Sequence, residues 1–376
     1  MYDIPSSPAK KLISLGQLRQ LRMHSQCLFP RQPKEGLLQT IRKLVGVNAQ
    51  LPSAMYLSLR ARVEGLTKDE IDDIRVKQRS VVRTWCMRGT MHLLASEDLA
   101  WLLSTLPTSL VIDGWRWLEQ RGGLSTEKSR EILDEAWQTL QANGPLTRSD
   151  LVQALTLKYG FHARAAIAGI VHLNGLLGRV CFGPDRIADP TYTALDNWLN
   201  TPPILSGPAD YVGLARRFLQ GYGPTAPEDL SAWWGCALSE AKGAWSKLKD
   251  ELAELDFDGR PVWIITEPTG DMDSPGPVVR LLPAFDSYYL GYRVRDFAVP
   301  IDYQPRVFHG GEIAPVILLD GCAVGTWHYE QRGRQMHILA YPFMAFTPRI
   351  YELIAEEAAD IGHFYHLEPV LSFELD

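Results

Sequence analysis

Apolar residues recur at spacings of three and four along most of the first 260 positions, the period of helices with one buried face. "SLGQLRQLRMHSQ", "EGLLQTIRKLVG", "SAMYLSLRARV" and "TKDEIDDIRVKQ" read as four such helices. The period then shortens. "SVVRTWCMRGTMHLLA" alternates as two strands do, with Arg88-Gly89 where a hairpin tip would fall. Two later stretches repeat each other: "GPLTRSDL" (Gly144–Leu151) recurs as "GPTAPEDL" (Gly223–Leu230), 79 positions on. Each reads as a Gly-Pro turn and then a helix start with acid in its first turn. Each follows an amphipathic helix, "REILDEAWQTLQAN" or "GLARRFLQGY". Each precedes a second helical run, "HARAAIAGIVHLNGLLGRV" or "LSEAKGAWSKLKDEL", and then strand-like pieces, "RVCFGPDRIADPTY" or "LDFDGRPVWIITE".

Helix, turn, helix, helix, hairpin is the order of a winged helix, and the first hundred residues fit it as a less similar copy. The expectation is an α+β fold with three tandem winged-helix units at 10–105, 125–200 and 208–266. The remainder is β-rich: "VVRLLPAFDSYYLGYRVR", "APVILLDGCAVGTWHYEQRG" and "QMHILAYPF" carry strand composition with Gly turns. "TPRIYELIAEEAADIGHFY" reads as a helix with Thr347 at its N-cap and an apolar stripe at Ile350, Leu353, Ile354 and Ile361. Residues 267–376 are therefore expected to form a small barrel-like unit closed by that helix.

Composition narrows this. No apolar run approaches the roughly 18 residues of a membrane span, and no signal segment is visible, so a cytoplasmic protein without membrane contact is expected. Five scattered cysteines with no CxxC pair favour neither a disulfide framework nor a cysteine zinc site. The net charge of −6 speaks against a nucleic-acid partner, but it is uneven. Residues 1–100 hold 16 Lys and Arg against 9 Asp and Glu, while the rest holds 22 against 35. A basic third on an acidic body suits contact with a polyanion; an uneven solvated surface is the other reading.

In "VGVNAQLPSA" two carboxamides, Asn48 and Gln50, flank one alanine. In extended backbone that offset turns both side chains the same way, into one small volume. A polar linker between helices would look the same. The block "GVNAQLPSAMYLSLRAR", with "VVRTWCMRGTMHLL", "LLPAFDSYYLGYR" and "ILLDGCAVGTW", resembles the winged-helix DNA glycosylases of the AlkZ type, in the family's order from about Leu12 to Phe373. That resemblance implies three winged helices and a small β-barrel, C-shaped around a DNA channel. It also implies that a Gln–aliphatic–Gln triplet serves the active site. Here the triplet is Asn48-Ala49-Gln50, with Asn in the first place; a sister branch carries Asp in the third.

Carboxamides are too weakly basic to ionise water, but they can hold one. That suffices where the leaving group needs no proton. N7-alkylguanine and N3-alkyladenine are cationic and leave as neutral bases, whereas a neutral purine needs a general acid. No carboxylate and no Schiff-base lysine stands in the triplet, so a monofunctional enzyme for cationic alkylpurines is expected. Its range could extend to bulky or cross-linked adducts, as in resistance to a genotoxin. Candidate DNA contacts are Arg60, Arg62, Arg83, Arg88, Thr90 and His92; Asp286 and Tyr288 are candidates to line a lesion pocket. Ordinary exposed arginines, a packed His92 and an Asp286 paired with an arginine are the plainer readings. His363 and His366 lack a third ligand, so no metal or cofactor is expected. The expected partner is double-stranded DNA carrying alkylated purines, bound by a monomer. A non-catalytic winged-helix regulator is the competing reading.

Overall fold

The computed structural model describes residues 11–120, 123–159, 161–186, 189–199, 205, 207–265 and 276–374. One order of elements occurs three times in it. Its fullest form is helix Thr126–Asn143, strand Leu146–Thr147, helices Arg148–Tyr159 and Phe161–Leu176, and strands Val180–Phe182 and Thr191–Ala194. The short strand pairs with the far arm of the hairpin, Leu146 opposite Tyr192. Later come helices Tyr211–Tyr222, Pro227–Trp234 and Leu238–Leu248 and the hairpin Ala253–Phe257 with Arg260–Ile264. There a single bridge from Thr225 to Trp263 stands in for the short strand. Pro227 opens its helix at the first turn, and Asp229 turns back to accept from the Ala226 N–H at 3.0 Å. The earliest occurrence is helix Leu37–Lys43, strand Val47–Asn48, helix Pro52–Arg60, and helix Lys68–Asp72 running into a π-helical turn, Asp73–Lys77. The hairpin Val81–Trp85 with Met91–Ala95 completes it.

The repeats are stitched together by backbone pairing that local patterns do not reveal. Six strands form one sheet in the order Val47–Asn48, Met91–Ala95, Val81–Trp85, Val180–Phe182, Thr191–Ala194, Leu146–Thr147. Arg83 lies opposite Phe182 at the join. Lys11–Leu12 runs parallel to Leu255–Asp256 and ties the start of the described chain to a hairpin far along it. Helix Thr108–Gln120, which the sequence reading leaves unassigned, packs on Phe161–Leu176.

The last part departs from the expected barrel. Val279–Leu282, Val316–Leu319, Cys322–Arg332, Gln335–Pro342 and Glu368–Phe373 form a five-stranded sheet that stays open among the described residues. Closure is not needed to bury its apolar face. Helix Pro348–Tyr365 covers it, packing Ile350, Ile354 and Ile361 on Leu281, Ile317, Trp327 and Ile338. Leu57 of helix Pro52–Arg60 joins this core. Thr347 occupies the N-cap position, though its side chain makes no capping bond.

Ion pairs fix the same junction. Glu357 receives Arg31, Arg60 and Arg280, with Arg60 at 3.0 Å, and Asp360 receives Arg31 and Arg60 at 3.1 and 2.9 Å. Burial alone would raise the Glu357 pKa; the three guanidiniums instead hold it down at about 2. Arg62 pairs with Asp286 at 2.7 Å, and Arg75 with Asp185 at 3.0 Å. Part of the basic excess of the first hundred residues is thus spent on acids further along the chain.

Candidate active site

The Asn48-Ala49-Gln50 triplet sits where a strand turns into a helix. Gly46, at φ 91°, brings the chain against its neighbour; a Cβ there would lie 2.8 Å from the Leu93 carbonyl oxygen. Val47 and Asn48 then pair with Leu93 and His92, and the Ala49 N–H donates to the Met91 carbonyl at 2.8 Å. Pro52 starts the next helix. At the corner the Asn48 Oδ1 accepts from the Gln50 N–H at 3.1 Å, a local asparagine turn. The Ala49 carbonyl accepts twice from Arg83, from Nε at 3.1 Å and Nη2 at 2.9 Å.

This corner separates the two carboxamides. Gln50 is exposed, and its amide bonds to no described residue. It lines a cleft of about 1150 Å³. Asn48 is buried and does not line that cleft; it braces the turn that presents Gln50. The alternation rule fails here because strand geometry ends at Asn48.

One face of the shared sheet forms the cleft floor. Arg83, Phe182 and Tyr192 stand opposite one another on three adjacent strands, so their side chains share a face. Trp85 follows two residues after Arg83, and its ring centre lies 4.7 Å from that of Phe182 and 6.2 Å from that of Tyr192. The wall is polar. Tyr56 donates to Asp72, which also receives Lys68 and Arg75, while Asp185 receives Arg75. Burial would raise the Asp72 pKa, but its hydrogen bonds from Lys68 and Tyr56 and these charges lower it. Each of the four carboxylates lining the cleft has a basic nitrogen close by: His366 at 3.3 Å from Asp69, Lys77 at 3.0 Å from Asp73, and the partners just named for Asp72 and Asp185. Sequence reasoning did not find Tyr56, Trp85, Phe182 or Tyr192. Phe182 and Tyr192 lie on a different hairpin, and only the sheet join brings them here.

Several other candidates lie elsewhere. Arg60 and Arg62 are fully buried on Glu357 and Asp286, so they cannot face DNA. Asp286 and Tyr288 are buried as well and do not line the cleft that holds Gln50. Asp286 accepts from Arg62, Ser58 and the Tyr288 N–H, and the Tyr288 hydroxyl donates to the Gly321 carbonyl at 3.0 Å. His92 is a packed strand histidine, its Nδ1 3.0 Å from the Thr90 carbonyl oxygen. Burial, with help from the Arg88 charge, pushes its pKa down to about 3, so it stays neutral at physiological pH. The Thr90 hydroxyl donates to the Met87 carbonyl at 3.1 Å. Arg88 does occupy the hairpin tip, at φ 54°, but its Nη1 donates to the Trp233 and Ala232 carbonyls at the end of helix Pro227–Trp234. That joint implies that Arg88→Ala lowers unfolding stability by about 1–2 kcal/mol and leaves the salt dependence of DNA binding unchanged. A salt slope shallower by about one phosphate contact would return Arg88 to the DNA interface. His363 and His366 sit with ring centres 6.5 Å apart. Among the described residues, no group of three or more His, Cys, Asp or Glu is placed to hold a metal ion. No described helix is long and apolar enough to cross a membrane.

Comparison with known proteins fits this geometry. Residues 41–364 match the family model of AlkZ-like DNA glycosylases. The chain is 28% identical, over 91% of its own length and 94% of the relative's, to an interstrand DNA cross-link repair glycosylase of Streptomyces sahachiroi. In fold it matches the solved structure of the Streptomyces sahachiroi DNA glycosylase AlkZ. The TM-score is 0.79 at 23% identity, covering 97% of this chain and 100% of the other. A family match spanning nearly all of the triplet, cleft and C-terminal sheet leaves one assignment: the chain belongs to the AlkZ-like DNA glycosylase family.

Proposed function

We propose that the chain is a monofunctional glycosylase that removes cationic N-alkylated purines, N7-alkylguanine and N3-alkyladenine, from double-stranded DNA. The observation that carries this reading is the Gln50 amide, without a partner among the described residues, in a cleft whose four carboxylates each have a basic nitrogen close by. Its oxygen can accept from a water and aim it at the sugar carbon as the bond to the base breaks. Its dipole, with the Asp72 carboxylate in the same cleft, favours the positive charge that develops on the sugar. No proton need reach the base, because a cationic purine leaves neutral. Asn48 acts through Gln50 by holding the turn.

The three-fold order of helices and hairpins supports a reading as tandem winged helices at 10–105, 125–200 and 208–266, with the C-terminal unit completing a C-shaped clasp that one copy closes on DNA. The cleft's size supports adducts larger than methyl, since pockets of about 300–1000 Å³ already enclose drug-sized ligands. With a relative named for cross-link repair, we extend the substrate range to bulky and cross-linked purines. The regulator alternative does not fit membership of a glycosylase family. The test is a duplex bearing a single N7-methylguanine, incubated with the enzyme and then treated with hot alkali. Scission at the lesion is expected; an intact strand with enzyme bound to the duplex would sink the reading.

A further inference from the structure

Arg83 is the anomaly of the cleft. It is 4% exposed, buried like Arg60, Arg62 and Arg75, yet each of those has a carboxylate within 3.3 Å and Arg83 has none within 4 Å among the described residues. Its bonds go to the Ala49 carbonyl and, more weakly, to the Met91 sulfur at 3.7 Å, and its guanidinium lies 4.3 Å over the Phe182 ring. Nη1 donates to no described residue and is not sealed from solvent. Two strands away on the same face, the Tyr192 hydroxyl likewise has no partner among the described residues, though the residue is only 8% exposed. Burial lowers the Arg83 pKa and the Arg75 charge adds to this, while Asp185, too far for an ion pair, only partly opposes them. An unpaired buried guanidinium and an unpaired hydroxyl aimed into one cleft await an anion.

A base-excising enzyme meets such an anion on its own substrate. An extrahelical nucleotide enters with its phosphodiesters, and Arg and Tyr both serve as phosphate donors. The alkylated purine cannot take that place. A positive ring in contact with a guanidinium is repelled by it, and the repulsion is far stronger in a buried cleft than in water. The cleft is therefore divided: purine and sugar toward Gln50 and the acidic wall, phosphate toward the floor. We propose that Arg83 and Tyr192, from two different hairpins, bind a phosphate next to the extrahelical nucleotide, and that Arg83 transmits this contact to Gln50 through the Ala49 carbonyl. The proposal rests on the reading of this cleft as the active site.

Methylphosphonate substitution tests it, because it removes the charge of one phosphate and leaves the rest of the DNA intact. Duplexes carry one N7-methylguanine and a neutral linkage on its 5′ or its 3′ side. With the full-length enzyme we expect one of the two positions to slow single-turnover excision by about tenfold or more. Arg83→Met should be slow on ordinary DNA and indifferent to that methylphosphonate. Tyr192→Phe, which keeps the ring and the fold, should lose about threefold or more and show a reduced methylphosphonate effect. If wild-type enzyme excises both modified substrates at full speed, or if Tyr192→Phe and Arg83→Met keep the full methylphosphonate penalty, no phosphate is bound here. That failure is distinct from failure of the cleft itself, in which Gln50→Ala would also excise at full rate.

Discussion

Gln50→Ala is expected to lower single-turnover excision of N7-methylguanine by about 10–100-fold, the scale of one lost water-orienting contact. The side chain is exposed in the cleft and bonded to no described residue, so truncation leaves the fold untouched and removes only what the amide does to the substrate. DNA affinity should barely move, because a neutral side chain releases no counterions. Asn48→Ala should cost less. It loosens the turn by removing the 3.1 Å bond to the Gln50 N–H but leaves the amide in the cleft. A Gln50→Ala enzyme with full single-turnover rate would reduce the triplet to a polar turn and move the chemistry elsewhere.

Asp286→Asn should destabilise the fold by about 3–5 kcal/mol, the cost of stranding a buried charge. Arg62 and Asp286 are wholly enclosed side chains that meet through two bonds, of 2.7 and 2.8 Å. The same carboxylate accepts from Ser58 and caps helix Ser287–Leu290. The substitution leaves Arg62 with Gln26, the Ser58 hydroxyl and a backbone carbonyl for company, and no acid. Urea unfolding of the two proteins measures the difference; a change under 1 kcal/mol would show that the pair is dispensable. The acid side of the stability curve has a related source in Glu357. Its folded pKa, about 2, lies below the ordinary glutamate value, so the unfolded chain binds the proton more readily. Its contribution is complete above the unfolded value near 4.5 and is lost as pH falls toward 2. Glu357→Gln should flatten that loss while lowering stability at neutral pH.

Local patterns carried much of the fold. Helix Thr126–Asn143, the hairpin around Arg88-Gly89 and the stripe Ile350, Ile354, Ile361 depend on neighbours a few positions away, and periodicity reports those. What it could not report was pairing at a distance. The join of Arg83 to Phe182 creates the cleft floor, yet nothing in either segment names the other. Arg60 and Arg62 looked like DNA contacts because they lie in a basic stretch; their partners, Glu357 and Asp286, come more than 200 positions later. Asp286 paired with an arginine was already a reading of its block, but which arginine was not legible. At Asn48 the limit was finer. Alternation holds along a strand, and one asparagine turn ended it a residue too soon for both amides to share a pocket.

The central claim is that one neutral amide, that of Gln50, suffices without a general acid because the substrate brings its own positive charge. It is tested most directly with two duplexes identical but for one base, cationic N7-methylguanine or neutral 8-oxoguanine. Each is treated with excess enzyme in EDTA and then with alkali. The prediction is alkali-labile abasic sites in the first duplex and an intact second strand. Equal excision of both bases, or activity that appears only when a divalent ion is restored, would contradict it.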